Sequence, residues 1–418
     1  MTEYLCPFCF NAVDMNGIHY QCTNQSCTRM FVKSIDEGTV PNGRRYRTAS
    51  EDEEIDVENS LFLGRNPDGP DAVTVKQHIV RNSAGTCDVC GRPVYKRLCP
   101  VCHSPIPPEA ENGDSRIFVV IGAKGAGKSH YVSVLLNQIK NSFSPEFNAV
   151  LIPASDRTTM KYRKYYYKRL YEDGRKLPPT RTYENIREFR EPMIYYLKFP
   201  EDETKSTVTL ALFDTAGEGP KDRLMGVALD LFVSRASGII FLIDPLQIPY
   251  VNERIKADGK PAPSDSALNY ISSVIGMIRS ETGIPAGTKI PTPVAIVLTK
   301  CDTLMKSPEN DEEEKVLLGA CSSVRMPRER GICDSENFEQ INAELEEYLR
   351  RVISPDFIEA VDNFEKHSYF AVSAIGGNPE GSLLDRGIAP FRVEDPLIWL
   401  LSCYDSNTEN NRKNEKEI

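Results

Sequence analysis

The sequence predicts an α/β fold, in which a mostly parallel, six-stranded sheet lies between helices and follows small cysteine-rich modules. Three observations predict it. Six short apolar runs alternate with longer helical or irregular stretches, a glycine-rich loop joins the first run to a helix-like stretch, and most cysteines precede residue 105. Such alternation is typical of βαβ units, whose parallel strands are covered by helices on both faces.

The N-terminal cysteines occur in pairs at the spacing of metal ligands. The first module, residues 1–33, and the second, residues 85–106, contain four each: Cys6, Cys9, Cys22 and Cys27, then Cys87, Cys90, Cys99 and Cys102. A Cys-x-x-Cys turn presents two thiolates to one tetrahedral ion, so each module is predicted to be a zinc ribbon with one structural Zn²⁺. Two alternatives stay open: the pairs interleave between the sites, or His19 or His103 replaces a thiolate.

Composition separates these modules from the main domain. Residues 34–84 mix charged residues with glycine and proline and are predicted to be a linker or irregular segment. Pro105, Pro107 and Pro108 follow the second module, where proline disfavours helix and sheet pairing. We expect the main domain to cover residues 115–403 and the polar residues 404–418 to form a disordered tail.

The apolar runs of the main domain predict its strands. They cover residues 117–121, 193–199, 207–213, 238–243, 294–298 and 369–372. The glycine-rich loop follows the first run, and beyond it Val132, Leu135, Leu136 and Ile139 recur at helical spacing. The order strand, loop, helix is the context that a phosphate-binding loop requires.

The loop at 122–129 has the composition of a phosphate cradle. Its small residues are Gly122, Gly125, Ala126 and Gly127. They allow successive backbone N–H groups to converge on phosphate oxygens at the positive end of the following helix. Lys128 is predicted to reach the β- and γ-phosphates, and the Ser129 hydroxyl to hold Mg²⁺.

Three motifs downstream indicate which nucleotide is bound. Asp214-Thr215-Ala216-Gly217 closes one strand, where the carboxylate can enter the Mg²⁺ shell and the Gly217 N–H can approach the γ-phosphate. Thr299-Lys300-Cys301-Asp302 closes another, and the Asp302 carboxylate can accept hydrogen bonds from guanine N1 and N2, a donor pair that adenine lacks. Ser373-Ala374 can offer a backbone N–H to guanine O6. The set predicts GTP and GDP as ligands.

In order and spacing, the loop and these motifs resemble the guanine-nucleotide motifs of Ras-like, TRAFAC-class P-loop GTPases. Thr-Lys-x-Asp here replaces the commoner Asn-Lys-x-Asp, and the resemblance covers roughly residues 115–403. It extends to bacterial double-GTPase-type proteins, which are encoded with partner GTPases and proposed to act in conflict systems. The resemblance implies a P-loop GTPase fold, a partner GTPase or activator, and a role in antiviral defence.

Two departures from the Ras-like pattern concern hydrolysis. Glu218 stands where those proteins carry the glutamine that orients water, so hydrolysis is predicted to be slow without an activator. Lys124 stands where they carry glycine and can supply transition-state charge in cis, unless it is simply a solvent-facing lysine. Arg175, Lys176 and Arg181 are further candidate cations. Thr180 is the predicted switch I threonine in the Mg²⁺ shell, with Thr182 as the alternative.

Residues 157–176 alternate basic side chains with tyrosines. Three interpretations fit this pattern. The stretch binds single-stranded nucleic acid, forms a partner surface that senses the switch, or is a helix whose tyrosines pack inward while its bases face water. Its position beside the predicted switch favours the second over the first.

Charge and hydropathy limit the remaining possibilities. The formal charge of −10 disfavours attraction of the whole surface to nucleic acid or anionic lipid. No apolar run approaches the roughly 20 residues that span a bilayer, and the N-terminus lacks the pattern of a signal peptide. We therefore expect a cytoplasmic protein whose partners are other proteins, with no membrane partner and with nucleic acid less favoured.

The sequence as a whole predicts a regulatory GTPase that hydrolyses GTP to GDP with Mg²⁺ and couples its switches to partners. Two alternatives remain. One is a nucleotide-dependent scaffold that does not hydrolyse GTP. The other is a nucleic-acid-binding zinc-ribbon protein that is gated by nucleotide.

Overall fold

The computed structural model describes residues 3–24, 26–28, 48–50, 53–81, 85–107, 116–178, 192–202, 207–212, 231–256, 261–263, 266–377, 382–384 and 387–414. The chain divides into two compact units, Met1–Ser115 and Arg116–Ile418. Among the described residues, no helix combines the length and apolar character needed to cross a membrane.

The first unit is built from short strands and one short helix. The strands are β1 (Glu3–Leu5), β2 (Ala12–Asp14), β3 (His19–Gln21), β4 (Thr48–Ser50), β5 (Glu53–Ile55), β6 (Thr74–Val75), β7 (Ile79–Val80) and β8 (Lys96–Leu98), and the helix is α1 (Val57–Phe62). They form three small antiparallel sheets, ordered β1-β2, β7-β3-β8 and β4-β5-β6. Elements β4 to β7 and α1 lie within residues 34–84, where composition alone indicated an irregular segment.

The second unit contains a seven-stranded sheet. Its strands are β9 (Arg116–Gly122), β10 (Val150–Pro153), β11 (Met193–Lys198), β12 (Val208–Leu212), β13 (Gly238–Ile243), β14 (Val294–Leu298) and β15 (His367–Ala371). The order across the sheet is β10-β11-β12-β9-β13-β14-β15. Neighbouring strands among β12, β9, β13, β14 and β15 pair in parallel. Strand β11 pairs antiparallel with β12, and β10 pairs antiparallel with β11.

The predicted α/β fold is confirmed, and all six predicted strands are present as β9 and β11 to β15. The sequence missed the edge strand β10. This strand has four residues, and its Val150 and Ile152 side chains are 45% and 38% exposed. A short strand at a sheet edge produces neither a long apolar run nor a clear alternation, so the apolar pattern gave no indication of it.

Helices cover the sheet of the second unit. They are α2 (Lys128–Gln138), α3 (Ser144–Phe147), α4 (Asp156–Tyr162), α5 (Pro249–Arg254), α6 (Ser266–Thr282), α7 (Asp311–Glu314), α8 (Ser335–Val352), α9 (Pro355–Val361) and α10 (Asp395–Asn414). Helix α10 continues into the segment 404–418 that the sequence predicted to be a disordered tail. One core cluster includes Phe118 and Val120 of β9, Leu135 of α2 and Leu397 of α10, all nearly inaccessible to solvent.

The basic, tyrosine-rich stretch forms α4 and a π-helical continuation, Arg163–Glu172. Tyr166 is buried, and the Tyr162 hydroxyl donates a hydrogen bond to the Ser133 carbonyl oxygen at 3.1 Å. Arg163 and Lys168 are exposed. The packing of the tyrosines matches the interpretation in which they face inward, but not all the basic side chains face water, because Lys161 is buried.

Candidate nucleotide site and cysteine clusters

Three of the four predicted nucleotide motifs meet at one edge of the second unit's sheet. Strands β9, β13, β14 and β15 run in parallel, so their carboxyl ends lie side by side. The loop 122–129 follows β9, Asp244 follows β13, Thr299 to Asp302 follow β14, and Ser373 lies just beyond β15. The carboxyl edge of an open α/β sheet is where such folds bind ligands.

The loop after β9 has a backbone that requires glycine. Gly125 and Gly127 have φ angles of 83° and 85°, in the left-handed region where other residues are strained. A Cβ atom on Gly122 would lie 2.9 Å from the Leu242 carbonyl oxygen of β13. Gly127 caps α2 without a side-chain hydrogen bond, and Lys128 and Ser129 follow it in the first turn, half buried. A helix start of this kind is suited to hold an anion.

Residues after β14 hold this loop by hydrogen bonds to its carbonyl oxygens. The Thr299 hydroxyl lies within donating distance of two carbonyl oxygens, 2.9 Å from that of Ala126 and 3.0 Å from that of Ile243. The Lys300 ammonium donates to the Gly125 carbonyl oxygen at 3.3 Å. Lys300 itself has a φ of 51°, a strained conformation for a lysine. The segment predicted to face the base therefore also holds the phosphate loop in place.

The Asp302 carboxylate is oriented by Ser373. The Ser373 hydroxyl donates to Asp302 Oδ1 at 2.5 Å and accepts the Gly376 N–H at 3.0 Å. Ala374, the next residue, is partly buried against the core. Between the aspartate and the loop, Cys301 is buried, and burial raises the pKa of its thiol. The two motifs predicted to contact guanine are thus joined by a side-chain hydrogen bond.

Asp244, which the sequence analysis did not single out, lies at the same sheet edge and contacts Lys300. Its carboxylate is buried, and it accepts the Leu246 N–H at 2.9 Å and the Lys300 ammonium at 2.6 Å. Three residues further on, Gln247 donates its side-chain amide to the Lys124 carbonyl oxygen at 2.8 Å. Asp214 was singled out because it directly follows an apolar run, and Asp244 does the same, so the sequence did contain this indication.

Several predicted residues lie outside the described part of the chain: Thr180, Arg181, Thr182, Asp214, Gly217 and Glu218. Their roles stay predictions. Of the candidate cations, Lys124 and Arg175 are exposed and Lys176 is half buried. The chain entering the predicted switch is fixed at Leu177, whose N–H donates to His130 Nε2 at 3.0 Å.

In the first unit, the eight N-terminal cysteines form two tetrads. One consists of Cys6, Cys9, Cys99 and Cys102, and the other of Cys22, Cys27, Cys87 and Cys90. The pairing is nested, with the outer pairs together and the inner pairs together. The prediction that each module supplies all four ligands of its own ion is therefore wrong, because each tetrad takes two cysteines from each module, as the alternative with interleaved pairs expected. Neither His19 nor His103 belongs to a tetrad.

The tetrad geometry fits zinc. Sulfur separations are 3.7 Å for Cys6–Cys102 and Cys9–Cys99, 3.6 Å for Cys22–Cys90 and 3.5 Å for Cys27–Cys87. Two thiolates on one tetrahedral Zn²⁺, with Zn–S of about 2.3 Å, lie about 3.8 Å apart. Each tetrad can therefore close around one ion, which supplies structural cross-linking to a unit with a small core.

Three of the four cysteine pairs share one turn. The residue after the second cysteine has a positive φ: Phe10 at 55°, Gly91 at 68° and His103 at 52°. The N–H of each of these residues donates to the carbonyl oxygen of the first cysteine of its pair, at 2.7 to 2.9 Å. The turn brings both sulfurs to the same side, as a metal ligand pair requires.

A phosphate loop at a strand end, with a guanine-type carboxylate beside it on the same sheet edge, defines the class: a GTP-binding P-loop protein. The family model described as Double-GTPase 2 matches residues 116–354, and the chain belongs to this family.

One curated protein is similar over nearly the whole chain. It is the "Putative ESX-1 scaffolding and assembly protein SaeC" of Mycolicibacterium smegmatis, 26% identical over 415 residues, which are 96% of this chain and 98% of that protein.

Solved structures are more distantly similar. The Ski7 GTPase-like domain of S. cerevisiae, bound to GTP, is 14% identical with a TM-score of 0.31 and matches 71% of this chain and 52% of its own. Bacterial selenocysteine-specific elongation factor EF-Sec is 14% identical with a TM-score of 0.24. The match covers 69% of this chain and 29% of the elongation factor chain. The chain thus spans about half or less of these proteins.

The nested tetrads predict which cysteines act together. We expect the Cys9→Ser, Cys99→Ser double variant to lose one Zn²⁺ per chain, because both residues serve one ion, and the Cys9→Ser, Cys22→Ser variant to lose two. Metal analysis of the purified chains measures this. The reverse pattern would show that each ribbon binds its own ion from contiguous cysteines.

The contact between Asp244 and Lys300 predicts an effect on nucleotide binding. In Asp244→Asn the ion pair is lost while the side chain keeps its shape, so the loop is held less firmly. We expect calorimetry to show GDP affinity about tenfold lower, equivalent to about 1.4 kcal/mol. Asp356→Asn, at an exposed position on α9, serves as the control and should bind as the wild type does. Equal affinities for all three proteins would remove Asp244 from the site.

Proposed function

We propose that this protein is a regulatory GTPase, which hydrolyses GTP to GDP with Mg²⁺ and couples its nucleotide state to partner proteins. One observation carries the proposal: Lys300 binds the phosphate loop at Gly125, while Asp302, two residues further on, is oriented by Ser373 for the base. Membership of the Double-GTPase 2 family supports it.

Each group at the sheet edge has a role in this proposal. Asp302 accepts hydrogen bonds from guanine N1 and N2, and the backbone N–H groups of the loop, with Lys128, hold the phosphates. Ser129, Asp214 and Thr180 are the proposed ligands of Mg²⁺, which when bound neutralises charge on the β- and γ-phosphates. Ser373 restricts the rotation of the Asp302 carboxylate, so less entropy is lost when guanine binds.

The proposed hydrolysis depends on a cation beside the γ-phosphate. Gln247 fixes the backbone at Lys124, while the Lys124 side chain remains exposed at the loop. A lysine there can stabilise negative charge in the transition state, a role that an arginine finger has in other P-loop proteins. Glu218, in place of a water-orienting glutamine, makes the unassisted reaction slow.

Lys124→Ala tests the role of this lysine. We expect multiple-turnover phosphate release from GTP to fall about 100-fold, as when one oxyanion donor is removed, with GTP affinity within about threefold of wild type. Lys140→Ala, an exposed lysine on the π-helical turn after α2, should retain full turnover. Unchanged turnover in Lys124→Ala would exclude the lysine from the reaction.

A scaffold that is controlled by nucleotide binding alone is the second candidate. It is favoured by the similarity, over 96% of this chain, to a protein named for scaffolding and assembly. Phosphate release by the wild-type protein distinguishes the two candidates. If the protein binds GTP but releases no phosphate over many hours, alone or with a partner, the result supports the scaffold and not the GTPase. The defence role rests on the sequence resemblance alone.

A further inference from the structure

A third group of potential metal ligands lies in the first unit, apart from the tetrads. His19, His103 and Glu58 each place one ligand atom within 4.8 Å of the others. We propose that these three residues bind a third divalent ion of the first transition row, such as Zn²⁺, through two imidazole nitrogens and a carboxylate oxygen. Unlike the closed tetrads, a site with three protein ligands leaves coordination positions for water or another ligand.

Strand pairing and a cysteine turn bring the two histidines together. His19 on β3 pairs with Leu98 on β8, and the cysteine turn that follows β8 ends at His103. The positive φ of His103 belongs to that turn, and His103 is 8% exposed. Glu58 comes from the first turn of α1, which Asp56 caps. Three separate elements thus contribute one ligand each.

A carboxylate sets the tautomer of His103. Its Nδ1 lies 2.6 Å from Asp56 Oδ1, and an ionised carboxylate only accepts, so Nδ1 carries the proton. The lone pair of Nε2 then faces His19 Nδ1, 2.8 Å away. Metal-binding histidines in proteins are usually oriented by such a carboxylate, which also makes the imidazole a better ligand.

The separation of the histidine nitrogens suits a shared ion. With metal–nitrogen bonds of about 2.0–2.1 Å, two adjacent ligands at 90° lie about 2.9 Å apart and two tetrahedral ligands about 3.4 Å apart. The observed separation of 2.8 Å matches ligands at 90°, and tetrahedral ligands would require the two nitrogens to move apart by about half an ångström.

The charges around the cluster favour a cation. Asp56 contacts His103, and a chain of ion pairs through Arg81 and His78 joins Glu58 to Glu54 and Asp88. Arg81 donates to both oxygens of Glu58, at 2.7 and 2.9 Å, and to Glu54, and His78 lies between Glu54 and Asp88. Arg81 uses two of about four acceptor positions on Glu58. Even with both of these side chains charged, negative charge is in excess, and a divalent ion would offset it.

Counting the metal ions in the full-length chain tests the proposal. After reconstitution with Zn²⁺ and removal of loosely bound metal, we expect about three ions per wild-type chain by mass spectrometry, and about two in His19→Ala. Co²⁺ loading checks the tetrads, because thiolate charge-transfer absorption should be the same in both proteins. His367→Ala, a histidine of the second unit, is the control and should keep three.

Glu58→Gln is a second variant of the same proposed site, which tests the proposal even if His19→Ala folds poorly. We expect it to keep the thiolate absorption and to release the third ion to a weak chelator at least tenfold faster than wild type. Two ions in the wild-type chain would overturn the proposal and indicate a hydrogen-bonded chain from Asp56 through His103 to His19. Three ions in His19→Ala would also overturn it, because the extra ion would then lie elsewhere.

Discussion

The geometry of the candidate nucleotide site depends on the ion pair between Lys300 and Asp244. The lysine ammonium lies 2.6 Å from the Asp244 carboxylate and 3.3 Å from the Gly125 carbonyl oxygen, so one side chain connects the ends of β13 and β14 with the loop after β9. The Asp244 side chain is fully buried, and a buried carboxylate needs a cation beside it. The requirement of Asp244 for a partner therefore holds Lys300 against the loop, and Asp302, the proposed contact for the base, lies two residues further on.

Much of this fold could be predicted because the central strands are buried on both faces. Such strands are continuous apolar runs, as in Val294–Leu298, and parallel pairing places whatever follows each run at a common edge. The loop, Asp302 and Ser373 were singled out as candidates because each follows such a run. Strand β10 was not, because an exposed edge strand has no buried face to mark it. The sequence also could not show which cysteine pairs share a tetrad. The Cys-x-x-Cys spacing identifies two ligands of one ion, but not the second pair that binds the same ion.

The two units rely on different sources of stability. The second has a large apolar core, with Phe118, Leu135 and Leu397 in one cluster. The first has two small clusters of buried side chains, each of which contains cysteines of the tetrads. We therefore expect zinc binding and folding to be coupled in the first unit, whereas the second unit has an apolar core of its own. The charged network around His78 and Arg81 adds buried polar bonds to the first unit without adding apolar area.

The central claim is that the sheet edge selects guanine nucleotide. Calorimetric titration of the full-length chain with GTP, GDP and ATP, alongside Asp302→Asn, tests it most directly. The account predicts that GTP and GDP bind at least about 100-fold more tightly than ATP, because the half-buried Asp302 carboxylate would be covered by adenine without the N1 and N2 donors that guanine offers. It also predicts that Asp302→Asn loses most of this preference. ATP binding as tight as GTP binding, with no effect of the substitution, would contradict it.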